Sequence, residues 1–98
     1  MDYRYSPDFK AKYKRRKRKK DVRLCSAIDE TIELFSSNSN DKRLKSHPLE
    51  RELTGLRSIH IIGLRTNDYC MVYEEKIESD GSKYAYFLQF GTHTELFG

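Results

Sequence analysis

The chain changes its hydrophobic period partway along, and this limits the folds open to it. In residues 21–40 the apolar side chains Cys25, Ile28, Ile32 and Phe35 recur at helical spacing, with Leu24 beside them. Asp29, Glu30 and Glu33 fall elsewhere on the wheel. From Leu56 the character changes to strands. Ile59, Ile61 and Ile62 lie in one β-rich run up to Leu64, and Tyr69 to Glu75 form a second. Ser79-Asp80-Gly81-Ser82 is a hairpin turn signal. Beyond it Tyr84, Tyr86, Leu88 and Phe90 alternate with Ala85, Phe87 and Gln89, both sets partly apolar, as in a strand with neighbours on both sides. A helical block followed by a strand block predicts an α+β domain with segregated layers.

Capping signals delimit the helices. Ser6 is placed as an N-cap, Pro7 suits the first helical position, and Asp8 favours the positive end of the dipole. Phe9 and Tyr13, four apart, share one face. Asp21 can cap a second helix, which Ser36-Ser37-Asn38-Ser39-Asn40 ends. Tyr3-Arg4-Tyr5 reads as a short strand, Arg65-Thr66-Asn67 as a turn, and residues 41–56 as polar and irregular. The expected order is β-α-α-β-β-β with a short C-terminal turn: a twisted antiparallel sheet carrying a helical hairpin on one face. Residues 1–98 suffice for one core, so a single domain is expected. No run approaches membrane-spanning length and the start lacks the apolar core of a secretory signal, so the expectation is a soluble, cytoplasmic protein. Cys25 and Cys70 have no CxxC partner and are expected as buried thiols rather than as disulfide or zinc ligands.

Charge is divided unevenly. Residues 1–20 carry ten Lys/Arg against Asp2 and Asp8, a net of +8, whereas residues 21–98 carry nine against thirteen acids, a net of −4. Seven consecutive cations, Lys14, Arg15, Arg16, Lys17, Arg18, Lys19 and Lys20, form a block suited to a polyanion such as RNA. A merely solvated helix face is the plainer alternative.

Candidate chemistry rests on His47 in a His-Pro-Leu turn, His60 in an apolar run, and His93 in Gly91-Thr92-His93-Thr94-Glu95-Leu96-Phe97. There is no hydrolase elbow and no Gly-rich phosphate loop. Zinc on His47, His60 and His93 is disfavoured, because their spacings match no local ligand pattern; no metal or other cofactor is expected. Metal-free RNA cleavage suits the set better. It needs a base for the 2′-OH, an acid for the leaving 5′-oxygen, and cations for the charged phosphorane. Imidazoles serve both proton transfers, arginine offers a fork for phosphate oxygens, and aromatic rings stack unpaired bases.

Four segments then carry a likeness. Ser46-His47-Pro48-Leu49, Leu53-Thr54-Gly55-Leu56-Arg57-Ser58-Ile59-His60-Ile61, Asp68-Tyr69-Cys70-Met71-Val72-Tyr73 and Gly91 to Phe97 stand in order along the chain. Together they resemble the YafQ branch of the RelE/ParE toxin superfamily, with its HPL turn, G-x-R-x-x-H-I segment, D-W-x-L-x-Y strand and terminal G-T-H-x-x-L-F. The resemblance covers essentially the whole chain and implies a RelE-like fold. It also implies the toxin of a type II toxin–antitoxin pair, an endoribonuclease that cuts mRNA in the ribosomal A site and leaves a cyclic phosphate and a 5′-OH. On the matching positions, His47, His60, Asp68 and His93 would be the catalytic residues, with His93 as general acid and His60 or Asp68 as base. Arg57, Arg65, Tyr69 and Phe97 would meet the substrate, Phe97 either directly or by bracing His93. Lys14 to Lys20, with Lys42, Arg43 and Lys45, would bind ribosomal RNA. The implied partners are mRNA, the 70S ribosome and a DinJ-like ribbon-helix-helix antitoxin, with the free toxin monomeric.

Two departures from the family pattern stand out. Ile61 to Asn67 makes the His60–Asp68 segment a few residues longer, which predicts either a longer hairpin or a displaced His60. Tyr69 replaces the tryptophan. On this reading His47 and His93 meet and the place of His60 is open. Arg65 is either a phosphate contact or a turn residue. The rivals are a ParE-like inhibitor of DNA gyrase and an inactive homologue that only binds RNA or antitoxin.

Overall fold

A computed structural model describes residues 1–98. The chain runs β1 (Asp2–Tyr5), α1 (Pro7–Arg18), α2 (Val22–Ser37), β2 (His47–Pro48), β3 (Leu56–His60), β4 (Tyr69–Ile77), β5 (Lys83–Thr92) and α3 (His93–Phe97). Short 3-10 turns at Lys42–Leu44 and Arg51–Leu53 flank β2. The five strands form one sheet in the order β1-β5-β4-β3-β2. The expected α+β architecture is therefore present, and β5 is an interior strand.

Both helix starts follow the expected chemistry. Phe9 N–H donates to Ser6 Oγ at 3.1 Å with Pro7 at the first position, and Leu24 N–H donates to Asp21 at 3.4 Å. Ser6 Oγ also donates to the Leu88 carbonyl at 2.8 Å, so the cap ties α1 to β5. Ser6→Ala removes a cap contribution of about 1 kcal/mol and leaves a part-buried carbonyl without its donor. The expected result is a loss of about 1–2 kcal/mol in denaturant unfolding; no change would show that the cap is redundant.

One core joins the helical hairpin to a single face of the sheet. Phe9, Ile28 and Phe35 from the helices meet Met71, Tyr73 and Phe87 from the strands, all nearly inaccessible to water. Phe87 is the hub, with ring centroids 5.3 Å from Phe35 and 5.2 Å from Tyr73. Cys25 and Cys70 are both buried free thiols, as expected.

In four places the structure differs from the sequence-based expectation. The sheet is mixed, because β1 pairs parallel to β5. A strand joined to its neighbours through two helices can approach from either direction, and its own residues carry no sign of which. Residues 41–56, expected to be irregular, contribute the edge strand β2, in which His47 pairs with Ser58. Strand β3 stops at His60, short of Leu64, because Gly63 turns at φ +83° and Ile62 N–H donates to Thr31 Oγ1 on α2 at 2.9 Å. Finally, β5 does not alternate throughout. A bulge leaves Leu88 without an opposite residue, with Tyr73 facing Phe87 and Val72 facing Gln89. The extra residue reverses the phase, so Phe90 joins Ala85 and Phe87 in the core instead of lying with Tyr84 and Tyr86.

Candidate active site

The terminal segment is built around His93. Thr92 N-caps α3: Glu95 N–H donates to Thr92 Oγ1 at 3.2 Å and Thr92 N–H donates to Glu95 Oε1 at 2.9 Å, a reciprocal capping box. Gly91 keeps this corner open, since a Cβ there would come within 3.0 Å of Lys12 Nζ and 3.2 Å of Glu95 Oε1. Lys12, half-buried on α1, donates to the Phe90 carbonyl at 2.6 Å and reaches Glu95 at 3.7 Å. Leu96 and Phe97 then cover an apolar groove of about 170 Å³ with Leu53, Leu56, Val72 and Leu88. The Phe97 ring lies 5.8 Å from that of His93.

His93 is oriented by the start of β4. Its backbone N–H donates to the Asp68 carbonyl at 3.0 Å, and its Nδ1 lies 2.9 Å from that carbonyl and 3.1 Å from Asp68 Oδ1. Nδ1 is thereby the donor, and Nε2 points away from Asp68, 3.5 Å from Cys70 Sγ. About half of the His93 side chain remains exposed. Asp68 is a positioning partner for the imidazole and a counter-charge whenever His93 carries a proton.

His60 stands on the other side of Cys70. It pairs with Cys70 across β3 and β4, and Cys70 pairs with Gly91 across β4 and β5. The His60 and His93 rings are 5.8 Å apart. The lengthened segment is thus accommodated as a loop after His60, which stays in the sheet beside His93. Burial, followed by the charges of Lys45, His93 and His47, lowers the His60 pKa from the usual histidine value and so favours its neutral form. Burial raises the Cys70 thiol pKa.

The other expected site residues are spread more widely. His47 is exposed on β2, one sheet row from His60, and its Nδ1 lies 3.0 Å from the Lys45 carbonyl. It acts on His60 through charge, while His60 takes the place beside His93 that the sequence had offered to His47. Arg57 donates to Ser46 Oγ at 3.1 Å and so braces the residue that leads into His47. Arg65 is exposed in the loop before Asp68. Tyr69 packs against the core, on the opposite sheet face from its neighbour Cys70; the substrate contact expected of it does not fit, because adjacent strand residues face opposite ways. Phe97 is exposed beside His93.

Lys14, Arg15, Lys17 and Arg18 are exposed on the last turns of α1, with Arg16 partly covered and 4.0 Å from Asp21. Lys19 and Lys20 form the turn to α2, Lys20 at φ +58°. The run therefore also complements the negative end of the helix dipole. Arg43 is paired to Asp41, while Lys42 and Lys45 are exposed.

Lys12, Thr92, Glu95 and Cys70 were not anticipated. The Thr-x-x-Glu spacing was a readable signal for the capping box. Lys12 and Cys70 carried none, since their roles come from contacts 78 and 23 residues away along the chain.

Comparison with known proteins agrees with this fold. The model of the family described as bacterial toxin of type II toxin-antitoxin system, YafQ, matches residues 1–98. Among solved structures, YafQ from E. coli strain BL21(DE3) superposes with a TM-score of 0.71 at 24% identity, covering 100% of this chain and 99% of that one. The YoeB/ParE toxin from Agrobacterium tumefaciens gives 0.72 at 19% identity, covering 95% and 99%. A chain of the E. coli DinJ-YafQ complex gives 0.68 at 25% identity, covering 100% and 99%. A search of the curated proteins found no match. With its fold, its histidine motifs and the whole-length family match in agreement, the chain belongs to the YafQ family of bacterial type II toxin–antitoxin toxins.

Proposed function

We propose that this toxin is a ribosome-dependent mRNA endoribonuclease working by acid–base transfer between two imidazoles. The observation that carries the reading is the pair His60 and His93, 5.8 Å apart in unlike surroundings. His60, its neutral form favoured by burial and neighbouring positive charge, is suited to take the 2′-OH proton. His93, with Asp68 at Nδ1, is suited to give a proton to the leaving 5′-oxygen. The 2′-oxygen attacks phosphorus, the P–O5′ bond breaks, and the products are a 2′,3′-cyclic phosphate and a 5′-OH. Unlike environments for two titratable groups are what separate an acid from a base. Asp68 fits positioning better than base, because both its carbonyl and its carboxylate are engaged by His93. Lys45, whose charge reaches His60, would supply positive charge for the phosphorane, and Phe97 offers a face for a base.

The basic end of α1 would bind ribosomal RNA phosphates over an area wider than the active site. Work on translating ribosomes places the toxin in the cytoplasm; no helix is long and apolar enough to cross a membrane. A cognate antitoxin is the second partner, by analogy with the E. coli DinJ-YafQ complex.

Inducing the toxin in bacteria and mapping mRNA 5′ ends tests the reading. Codon-phased cuts confined to translated messages are expected. Growth arrest with DNA damage and intact mRNA would favour a gyrase inhibitor instead. Full-rate cleavage of naked RNA would contradict the ribosome requirement.

A further inference from the structure

Cys70 is the one side chain between the two imidazoles that RNA cleavage leaves without a task. Its Sγ, a nitrogen of His60 and a nitrogen of His93 all lie within 4.8 Å of one another. A cation seated among three such atoms lies no more than about 2.8 Å from each, so small side-chain rotations reach zinc–sulfur and zinc–nitrogen lengths of about 2.3 and 2.0–2.1 Å. Tetrahedral ligation at those lengths separates sulfur from nitrogen by about 3.5 Å. Cys70 Sγ and His93 Nε2 already stand 3.5 Å apart.

Two further observations point the same way. His60 Nδ1 is buried and has no hydrogen-bond partner, an unmet polar atom on one of the three residues. His93 Nδ1 is held by the Asp68 carbonyl and carboxylate, which leaves Nε2 free as a ligand. A carboxylate behind a ligating histidine is the usual support of a metal site. The half-exposed His93 ring offers a path from solvent to the covered sulfur.

We propose that His60, Cys70 and His93 form a three-ligand site for a thiophilic divalent cation, zinc in particular, and that its occupancy switches the toxin off. One thiolate and two imidazoles suit zinc, whereas magnesium and calcium need oxygen ligands that the cluster lacks. On binding, the sulfur–zinc bond forms as the Cys70 thiol proton passes to solvent, and no electron is transferred. A water completes the tetrahedron. Binding stands independently of the reaction; the switching rests on the ribonuclease reading, because both proton carriers become ligands.

The test uses the full chain and two readouts. Cobalt(II), a coloured substitute for zinc, is expected to give a thiolate charge-transfer band saturating at one equivalent and displaced by zinc. The band is expected to vanish in Cys70→Ser and persist in Cys25→Ser. Zinc, and not magnesium, is expected to raise the wild-type melting temperature by several degrees, a readout that does not depend on the variant folding. In ribosome-dependent cleavage, zinc should slow the wild type by about a hundredfold or more, reversibly with chelator, and Cys70→Ser by less than about twofold relative to its own zinc-free rate. Absence of the band and of the melting shift, or a band undiminished in Cys70→Ser, would overturn the site. Zinc binding without slowing would overturn the switch. A chain that binds cobalt through Cys70 yet cuts no message under any condition would uphold the site and overturn the ribonuclease reading.

Discussion

His93→Ala is expected to lower ribosome-dependent mRNA cleavage by about 10²–10⁴-fold, the range that general acid–base transfer contributes. His93 is the only imidazole here whose Nδ1 is occupied by a carboxylate and a carbonyl while its ring stays open to solvent. In the proposed reaction alanine removes the proton donor for the 5′-oxygen; it frees Asp68 but leaves the Thr92–Glu95 capping box intact. Thermal unfolding should therefore change little while the rate collapses, which separates chemistry from folding. The wild-type rate should also hold to lower pH than an ordinary histidine base allows. The base must be neutral, His60 is depressed, and activity falls only once pH drops through that lowered value. A His93→Ala protein that cuts messages at near the wild-type rate would remove His93 from the reaction.

Phe87→Ala is expected to cost about 3–5 kcal/mol, a large share of the roughly 5–15 kcal/mol that holds a domain of this size together. Phe87 is fully buried at the junction of sheet and hairpin, where its ring meets Phe35, Tyr73, Phe9 and Tyr5. Its partners Tyr5, Phe9 and Phe35 all lie more than 50 residues earlier in the chain, so no local contact replaces it. The melting temperature should fall by more than about 12 °C. A loss below about 1 kcal/mol in chemical unfolding would show that the site collapses around the gap and that Phe87 is not the hub.

Much of this was legible because it is local. The Ser6-Pro7-Asp8 start, the Asp21 cap and the Cys25-Ile28-Ile32-Phe35 stripe all depend on neighbours within a turn or two of helix. The same holds for the His-Pro-Leu motif and the Gly91 to Phe97 segment as motifs, which mark the family before any contact is known, although the first lies in the strand β2 and not in a turn. The parallel entry of β1, the bulge at Leu88 and the helix-side docking of Ile62 were not legible. Each is settled by a partner far along the chain, and the residues involved look ordinary on their own.

The site divides in the same way. From the residues alone one could name three histidines and Asp68, and see that the chain suits proton transfer to and from RNA. Tertiary structure decided which of them are neighbours. Strand pairing puts His60, Cys70 and Gly91 in one row, and the bulge in β5 sets the phase in which the chain reaches His93. It also turned Tyr69 toward the core and brought Cys70, expected only as a buried thiol, between two imidazoles. Residue types are fixed by composition, but distances between residues 23 to 33 positions apart depend on register, and register is set only when the whole sheet assembles.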